Sequence, residues 1–317
     1  MNNTNSSIPS MLPPAYQPAP LPFLVCWSVM GLASTVLNVV VCCIVFCNAR
    51  MLTITNAFVV SLSVSDLLAA AVLVPIYIAE EYTLTKVPIS GYVIAVLLLA
   101  SIFNLCAVTY ERFVALTKPF GYRVIMNKRK VSIIIFASWF IPVLISLLPL
   151  AWHADPSSPY HKAYMIITLI LFVLLPCVAM IWVYARLLKI IRNFIQRNRR
   201  RTSSGNKTGE RAGTEEKAAR VFAIILAMFL LCWLPLIYIN ACTAFQLEHL
   251  ITQTLLYVSF FTLLLNTIMD PLIFAFLKRD FKESIFKSDR RPAGMMTSMV
   301  SRRSEQEELS PTCMNGE

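Results

Sequence analysis

Long apolar stretches separated by short polar segments occupy most of this chain. Seven windows carry almost no charge, at about 20–47, 53–79, 88–116, 131–152, 163–186, 218–243 and 250–276. A helix rises about 1.5 Å per residue, so roughly 20 apolar residues are enough to cross the hydrocarbon core of a membrane. The pattern predicts an all-α membrane protein, a seven-transmembrane helix bundle that extends over residues 20–287.

Composition supports this assignment and orients the bundle. The 317 residues are 57% hydrophobic and only 14% charged, outside the range of soluble domains. Of the 28 lysines and arginines, all except Lys86 and Lys162 fall on one side of the seven windows. The positive-inside rule therefore places the N-terminus outside the cell and identifies the net charge of +11 as a topological signal. Membrane lipids are the expected partners of this charge, and nucleic acid is not.

The two ends of the chain are expected to lie on opposite sides of the plasma membrane. Residues 1–19 form a polar, proline-rich extracellular tail, with glycosylation sequons at Asn2 and Asn5. After the seventh span, Leu277, Phe281 and Ile285 recur four residues apart among basic residues, which predicts a short amphipathic helix on the inner leaflet. Residues 288–317 are predicted to form a disordered cytoplasmic tail.

Two carboxylates lie inside apolar spans, Asp66 in the second and Asp270 in the seventh. An ionisable group at mid-membrane costs about 2.5–3.5 kcal/mol on insertion scales, so both are candidate functional residues that face the bundle interior. Two such carboxylates close together cannot both ionise unless a cation lies between them. A bound cation and a shared proton therefore remain alternatives, and Asn38, Ser101 and Asn266 are the predicted neighbours.

Several further spans contain recognisable short motifs. They are Thr109-Tyr110-Glu111-Arg112 at the end of span three, Pro176 and Tyr184 in span five, Phe229 and Cys232-Trp233-Leu234-Pro235 in span six, and Asp270-Pro271-Leu272-Ile273-Phe274 in span seven. Each has a simple structural interpretation, because an arginine at a helix end snorkels to water and a proline kinks a helix. Taken together and in this order, they resemble the motifs of rhodopsin-like (class A) G-protein-coupled receptors.

The resemblance implies an inner switch and a heterotrimeric G protein as partner. Arg112 would pair with Glu215 at the start of span six in the inactive state, although Glu215 could equally be a charge favoured by the helix dipole. Glu111, Phe120, Tyr184 and Phe274 complete the implied switch and coupling surface. Two family positions are altered, with Asp270 in place of asparagine and Phe274 in place of tyrosine. The resemblance also implies that the cation between the carboxylates is sodium.

A packed triad below the ligand pocket is implied as well. Ile102, Pro176 and Phe229 match the family positions whose rearrangement lets span six pivot. Ordinary core packing is the simpler interpretation of the same three residues. The resemblance implies no cofactor other than the possible sodium ion.

Within the family, the chain is most similar to adenosine receptors and their melanocortin and lysolipid relatives. The likeness includes Leu148-Pro149-Leu150-Ala151-Trp152 and Asn240, which matches an asparagine that binds the adenine ring through two hydrogen bonds. Ile237 and Leu264 stand where adenosine receptors have histidines, and no aspartate lies in the outer half of span three, where amine receptors bind ammonium. Glu80, Glu81 and Glu248 are expected at the rim of the pocket. The candidate ligand-binding residues are Ile94, Leu98, Thr168, Trp233, Ile237, Asn240, Phe260 and Leu264.

These observations favour a receptor for an extracellular small molecule, which could be purine-like or adenosine-like. A constitutively active orphan receptor or a lipid-sensing receptor is the main alternative. Internal repeats or charged residues in several spans would favour a transporter or channel. In this chain only Asp66 and Asp270 are charged residues deep within the spans. An enzyme is not indicated, because the chain contains neither a phosphate-binding loop nor a zinc motif.

Overall fold

The computed structural model describes residues 19–83, 89–153, 158–201 and 227–277. Seven helices in these ranges are long and apolar enough to cross a membrane. Their bounds are Leu21–Cys47, Ile54–Thr83, Ser90–Thr117, Lys128–Trp152, Pro159–Ile190, Ala227–Ala244 and Gln253–Leu272, and the fifth and seventh continue as helix to Arg201 and Leu277. We call them spans one to seven. The predicted helical membrane fold is confirmed, and the amphipathic helix predicted near residues 277–287 lies almost wholly outside the described residues.

The outer halves of spans two and five have features that matter for the site. Span two continues as α-helix to Thr83, four residues past its predicted apolar window, and Glu80 and Glu81 in this extension are buried. Span five contains a π-helical segment at Thr168–Leu174, which ends two residues before Pro176. Such wide turns in α-helices frequently occur at functional sites.

The first two spans approach each other closely at a glycine. A Cβ atom added to Gly31 would lie 2.7 Å from Cγ2 of Val74, so only glycine allows this approach. Small residues at helix contacts serve the same purpose in membrane bundles generally. Many large apolar side chains of the spans, such as Leu32 and Phe136, are in contrast exposed on the outside of the bundle, as expected for a surface that faces lipid.

A polar network inside the bundle joins spans two, three and four. The hydroxyl of Ser61 donates to Oδ1 of Asn104 over 2.6 Å, and the hydroxyl of Ser138 donates to the same oxygen over 3.2 Å. The indole nitrogen of Trp139 donates to Ser61 over 3.0 Å. Trp139 therefore lies at a helix contact, and its polar atom is satisfied there.

Candidate functional site

A cavity of about 480 Å³ opens between spans three, four, five and six. It lies at the end of the bundle where spans three, five and seven begin, which we call the outer end. Its lining is mostly apolar, and its polar side chains are Tyr92, Ser146, His161, Tyr164, Thr168 and Asn240. We call it the outer cavity. A largely apolar cleft of this size with a few polar groups is typical of small-molecule sites.

The structure distributes the predicted ligand-binding residues over two cavities. Five of them line the outer cavity, namely Ile94, Leu98, Thr168, Trp233 and Asn240. Phe260 and Leu264 line a second cavity of about 170 Å³ between spans one, two, three, six and seven. Ile237 lines neither cavity and packs against the buried core instead. The two cavities share the side chains of Ile94, Leu98, Trp233 and Leu236.

Ser146 is a polar residue of the outer cavity that sequence reasoning missed. Its side chain is only 1% exposed, and its hydroxyl oxygen has no hydrogen-bond partner in the part of the chain that the structure describes. The indole nitrogen of Trp233, at the floor shared with the second cavity, is also buried without a partner. Buried polar atoms normally find a partner, so both atoms are available to a ligand or to water. A serine within the apolar run at the end of span four was the available sequence signal.

The second cavity has a carboxylate in its lining. Glu80 is 8% exposed and borders the cavity, rather than standing at the rim as the sequence suggested. Span two continues as helix to Thr83, so Glu80 lies within the helix and contributes to the cavity lining. Aromatic rings of Trp27, Tyr77 and Phe260 form one wall of the same cavity.

The two intramembrane carboxylates lie side by side below this cavity. Asp66 is fully buried and Asp270 is 4% exposed, and the side chains of Asp270 and Ser101 lie against Asp66. Neither carboxylate oxygen of Asp66 has a well-formed hydrogen bond. Oxygen atoms left without donors in this way fit a small cation with oxygen ligands, which carboxylate, hydroxyl and amide groups all provide.

The residues predicted to lie beside the two carboxylates have two different roles in the structure. Asn266 lines the second cavity together with Ser101, so both can contribute oxygen atoms near the pair. Asn38 instead donates to the backbone oxygens of Ser34 over 3.0 Å and Thr267 over 2.9 Å, and thereby ties span one to span seven. Within the described ranges, no three His, Cys, Asp or Glu side chains form a metal-binding cluster.

At the inner end of the bundle, Glu111 is a buried hydrogen-bond hub. Its carboxylate lies 3.1 Å from Nε of Arg112 and accepts hydrogen bonds from the hydroxyls of Thr55, over 2.7 Å, and Tyr122, over 2.5 Å. Tyr122 belongs to a short helix, Tyr122–Ile125, that follows span three. Burial, with a smaller effect of the bond to Glu111, raises the pKa of Tyr122 to about 12, so this hydroxyl remains a donor at neutral pH. Sequence reasoning missed Thr55 and Tyr122.

The remaining switch residues fall in different environments. Phe120 is fully exposed in the loop after span three. Tyr184 is 4% exposed and its hydroxyl lies near Thr109 and Arg112. Phe274 belongs to span seven. Glu215 lies outside the described residues, as do Asn2 and Asn5, so the predicted pairing of Arg112 with Glu215 stays a prediction.

The predicted triad lies at the base of the outer cavity, and one of its members, Ile102, lines that cavity. Ile102 is fully buried and Phe229 is 1% exposed, while Pro176 is half-buried at the end of the π-helical segment. The rings of Phe229 and Trp233 lie 5.2 Å apart, so Phe229 supports the tryptophan that forms the floor of both cavities. This contact links the cavities to the middle of span six.

Comparison with known proteins identifies the family. The family described as "7 transmembrane receptor (rhodopsin family)" matches residues 37–274. The chain belongs to this family. It is a G-protein-coupled receptor of the rhodopsin class, a multi-pass protein of the plasma membrane and not an enzyme.

Several receptors with different named ligands are similar to this one. Adenosine receptor A3 of Ovis aries is 28% identical over 80% of this chain and 85% of its own length. Octopamine receptor beta-2R of Chilo suppressalis is 25% identical over 78% of this chain and 74% of its own length. Histamine H2 receptor of Canis lupus familiaris is 27% identical, with 86% and 81% covered. The likeness thus includes adenosine receptors and receptors named for amines.

Proposed function

We propose that this receptor senses an extracellular small molecule in the outer cavity and activates a heterotrimeric G protein. The observation that carries the proposal is a cavity of about 480 Å³, apolar apart from a few polar groups that include the amide of Asn240. In this proposal residues 1–19 form the extracellular tail and residues 288–317 the cytoplasmic tail. Arg112, Phe120, Tyr184, Glu215 and Phe274 then lie on the side of the G protein.

A flat heteroaromatic molecule, purine-like or adenosine-like, suits this cavity best. The amide of Asn240 can donate and accept at once, which matches a ring nitrogen beside an exocyclic amino group. No Asp or Glu is among the described residues that line the outer cavity, so an ammonium ligand would find no counter-ion among them. The similarity to adenosine receptors supports the same ligand class.

A screen of nucleosides against lysolipids on cells that express the receptor tests this proposal. We expect a nucleoside to raise G-protein signalling above the basal level. A response to lysolipids alone would favour a lipid-sensing receptor, for which the apolar lining is the supporting observation. High basal signalling with no response to either class would instead identify a constitutively active receptor.

Replacing Tyr122 with phenylalanine is expected to raise basal signalling. The change removes one of two hydroxyl donors to Glu111 and so weakens the arrangement that holds Arg112. The loss of one such bond is worth about 1 kcal/mol, which would increase the active fraction roughly fivefold where that fraction is small. Ligand-free signalling at equal surface expression is the measurement.

Two further variants control this experiment. Thr55→Val removes the other hydroxyl donor to Glu111 and should raise basal signalling in the same direction. Tyr110→Phe makes the same chemical change on a side chain that is 48% exposed and should have no effect. Unchanged basal signalling in both Tyr122→Phe and Thr55→Val would show that Glu111 does not restrain the active state.

Replacing Phe229 with alanine is expected to reduce agonist efficacy more than agonist affinity. Phe229 is buried against Trp233 and does not line either cavity, so its ring supports the cavity floor without touching the ligand. Removing a buried phenylalanine ring costs about 3–5 kcal/mol of stability in well-packed cores. Phe229→Leu keeps most of the volume and separates the two effects. Equal losses of expression and binding in both variants would identify Phe229 as a purely structural residue.

A further inference from the structure

Three aromatic rings form a continuous wall of the second cavity. Ring centroids of Trp27 and Tyr77 lie 4.9 Å apart, those of Trp27 and Phe260 5.4 Å, and those of Tyr77 and Phe260 4.7 Å. The indole nitrogen of Trp27 donates to the backbone oxygen of Phe260 over 3.2 Å, which fixes the orientation of its ring. The rings come from spans one, two and seven, so the tertiary fold builds this wall.

A carboxylate borders the same wall. Glu80 lies one helical turn beyond Tyr77 in span two, and its side chain lines the cavity while being only 8% exposed. Among the described residues that line this cavity, none is Lys, Arg or His. The described part of the lining therefore combines a carboxyl group with electron-rich rings.

We propose that the second cavity binds a small organic ammonium group, paired with Glu80 and held against Trp27, Tyr77 and Phe260. Aromatic faces attract ammonium ions through their quadrupoles, and this attraction is strongest where water is excluded. A carboxylate at the same site supplies the neutralising charge that a desolvated cation requires. The volume of about 170 Å³ suits a methylated ammonium headgroup or a short amine rather than a whole nucleoside.

The proposed ammonium site in the second cavity is separate from Asn240 in the outer cavity, although the two cavities touch. Asn240 lines only the outer cavity and Glu80 lines only the second one. Trp233 borders both, so a bound ammonium would contact the residue that forms the floor of the outer cavity. This proposal rests on the proposed function in one respect, the orientation of the receptor in the membrane, which places Glu80 on the extracellular side.

Choline and its uncharged carbon isostere, 3,3-dimethyl-1-butanol, test the site directly. The quantity measured is the thermal unfolding midpoint of the full-length receptor in nanodiscs of phosphatidylglycerol, a lipid without a choline headgroup. Choline chloride should raise the midpoint saturably relative to potassium chloride at equal ionic strength. The isostere fills the same volume without charge and should have no comparable effect.

Variants of the lining assign the effect to these residues. Glu80→Gln should weaken the choline response at least about tenfold, because it removes a desolvated charge pair. Phe260→Leu should weaken it about threefold to tenfold through loss of one aromatic face. Glu248→Gln removes an exposed carboxylate at the same end of the bundle and should leave the response unchanged.

Each outcome decides the proposal. Equal shifts with choline and the isostere, or a choline shift that survives Glu80→Gln, would overturn it. If Glu80→Gln does not fold, Phe260→Leu together with the isostere decides the matter. Lysophosphatidylcholine in a parallel experiment distinguishes a lipid headgroup from a free amine as the source of the ammonium. No signalling is measured, so a failed nucleoside screen would leave this result intact, and a failed choline experiment would leave the Asn240 site intact.

Discussion

We expect the replacement of Asn240 with leucine to lower the potency of a nucleoside agonist roughly 100-fold and so to abolish most of the response. Among the described residues that line the outer cavity, Asn240 is the one with a side-chain amide, and the surrounding wall is largely apolar. Leucine has a similar size but cannot donate or accept. Two lost hydrogen bonds at about 1.4 kcal/mol each correspond to a factor of about 100.

A ligand analogue makes this test specific. A purine riboside without the exocyclic amino group cannot form one of the two hydrogen bonds to Asn240. It should lose about tenfold in affinity for the unmodified receptor and almost nothing for Asn240→Leu, because the missing bond is already absent there. Radioligand competition on membranes gives all four affinities. Equal losses in both receptors would show that Asn240 does not contact the ligand and only bridges helix ends.

Sodium is expected to lower agonist affinity roughly tenfold relative to potassium at equal ionic strength, within the usual range of coupling between two sites. The carboxylates of Asp66 and Asp270 are adjacent and buried, and the oxygens of Asp66 lack well-formed hydrogen bonds among the described residues. A cation bound between them would remove their repulsion and hold spans two and seven together. An agonist that requires these spans to move would therefore compete with the ion.

Asp66→Asn should abolish the difference between sodium and potassium. The amide keeps the shape of the carboxylate and removes the charge that attracts the ion. Asn38→Ala is a useful comparison, since Asn38 bonds to Ser34 and Thr267 and should affect stability without removing the sodium effect. If sodium and potassium act alike on the unmodified receptor and on Asp66→Asn, a proton shared by the two carboxylates replaces the ion.

The sequence by itself determined the membrane fold and the number of spans. Hydrocarbon excludes charged and unsatisfied polar groups over a fixed thickness, so apolar length alone identifies each helix. Arg112, Phe229, Trp233 and Pro235 could be placed on their spans in the same way, because each occurs in a short motif within one helix. Asn240 was predicted from the resemblance to adenosine receptors, which have an asparagine at the matching position.

Only the tertiary structure decided which polar groups meet across helices. Glu111 receives its hydroxyl partners from Thr55 and Tyr122, which are 56 and 11 residues away in sequence. The wall of the second cavity joins Trp27, Tyr77 and Phe260, whose spacing carries no periodic signal. Apolar periodicity is also weak where both faces of a helix are apolar, so the rotation of each span about its axis had to come from packing.

The outer end of span two shows the physical limit of sequence reasoning. Hydropathy ends the apolar window before Glu80, yet the helix continues to Thr83 because backbone hydrogen bonds do not require apolar side chains. The extra turn moves Glu80 from the predicted rim into the lining of a cavity. Hydropathy reports the cost of transferring a residue to lipid, whereas the direction of its side chain depends on neighbours that only the folded bundle supplies.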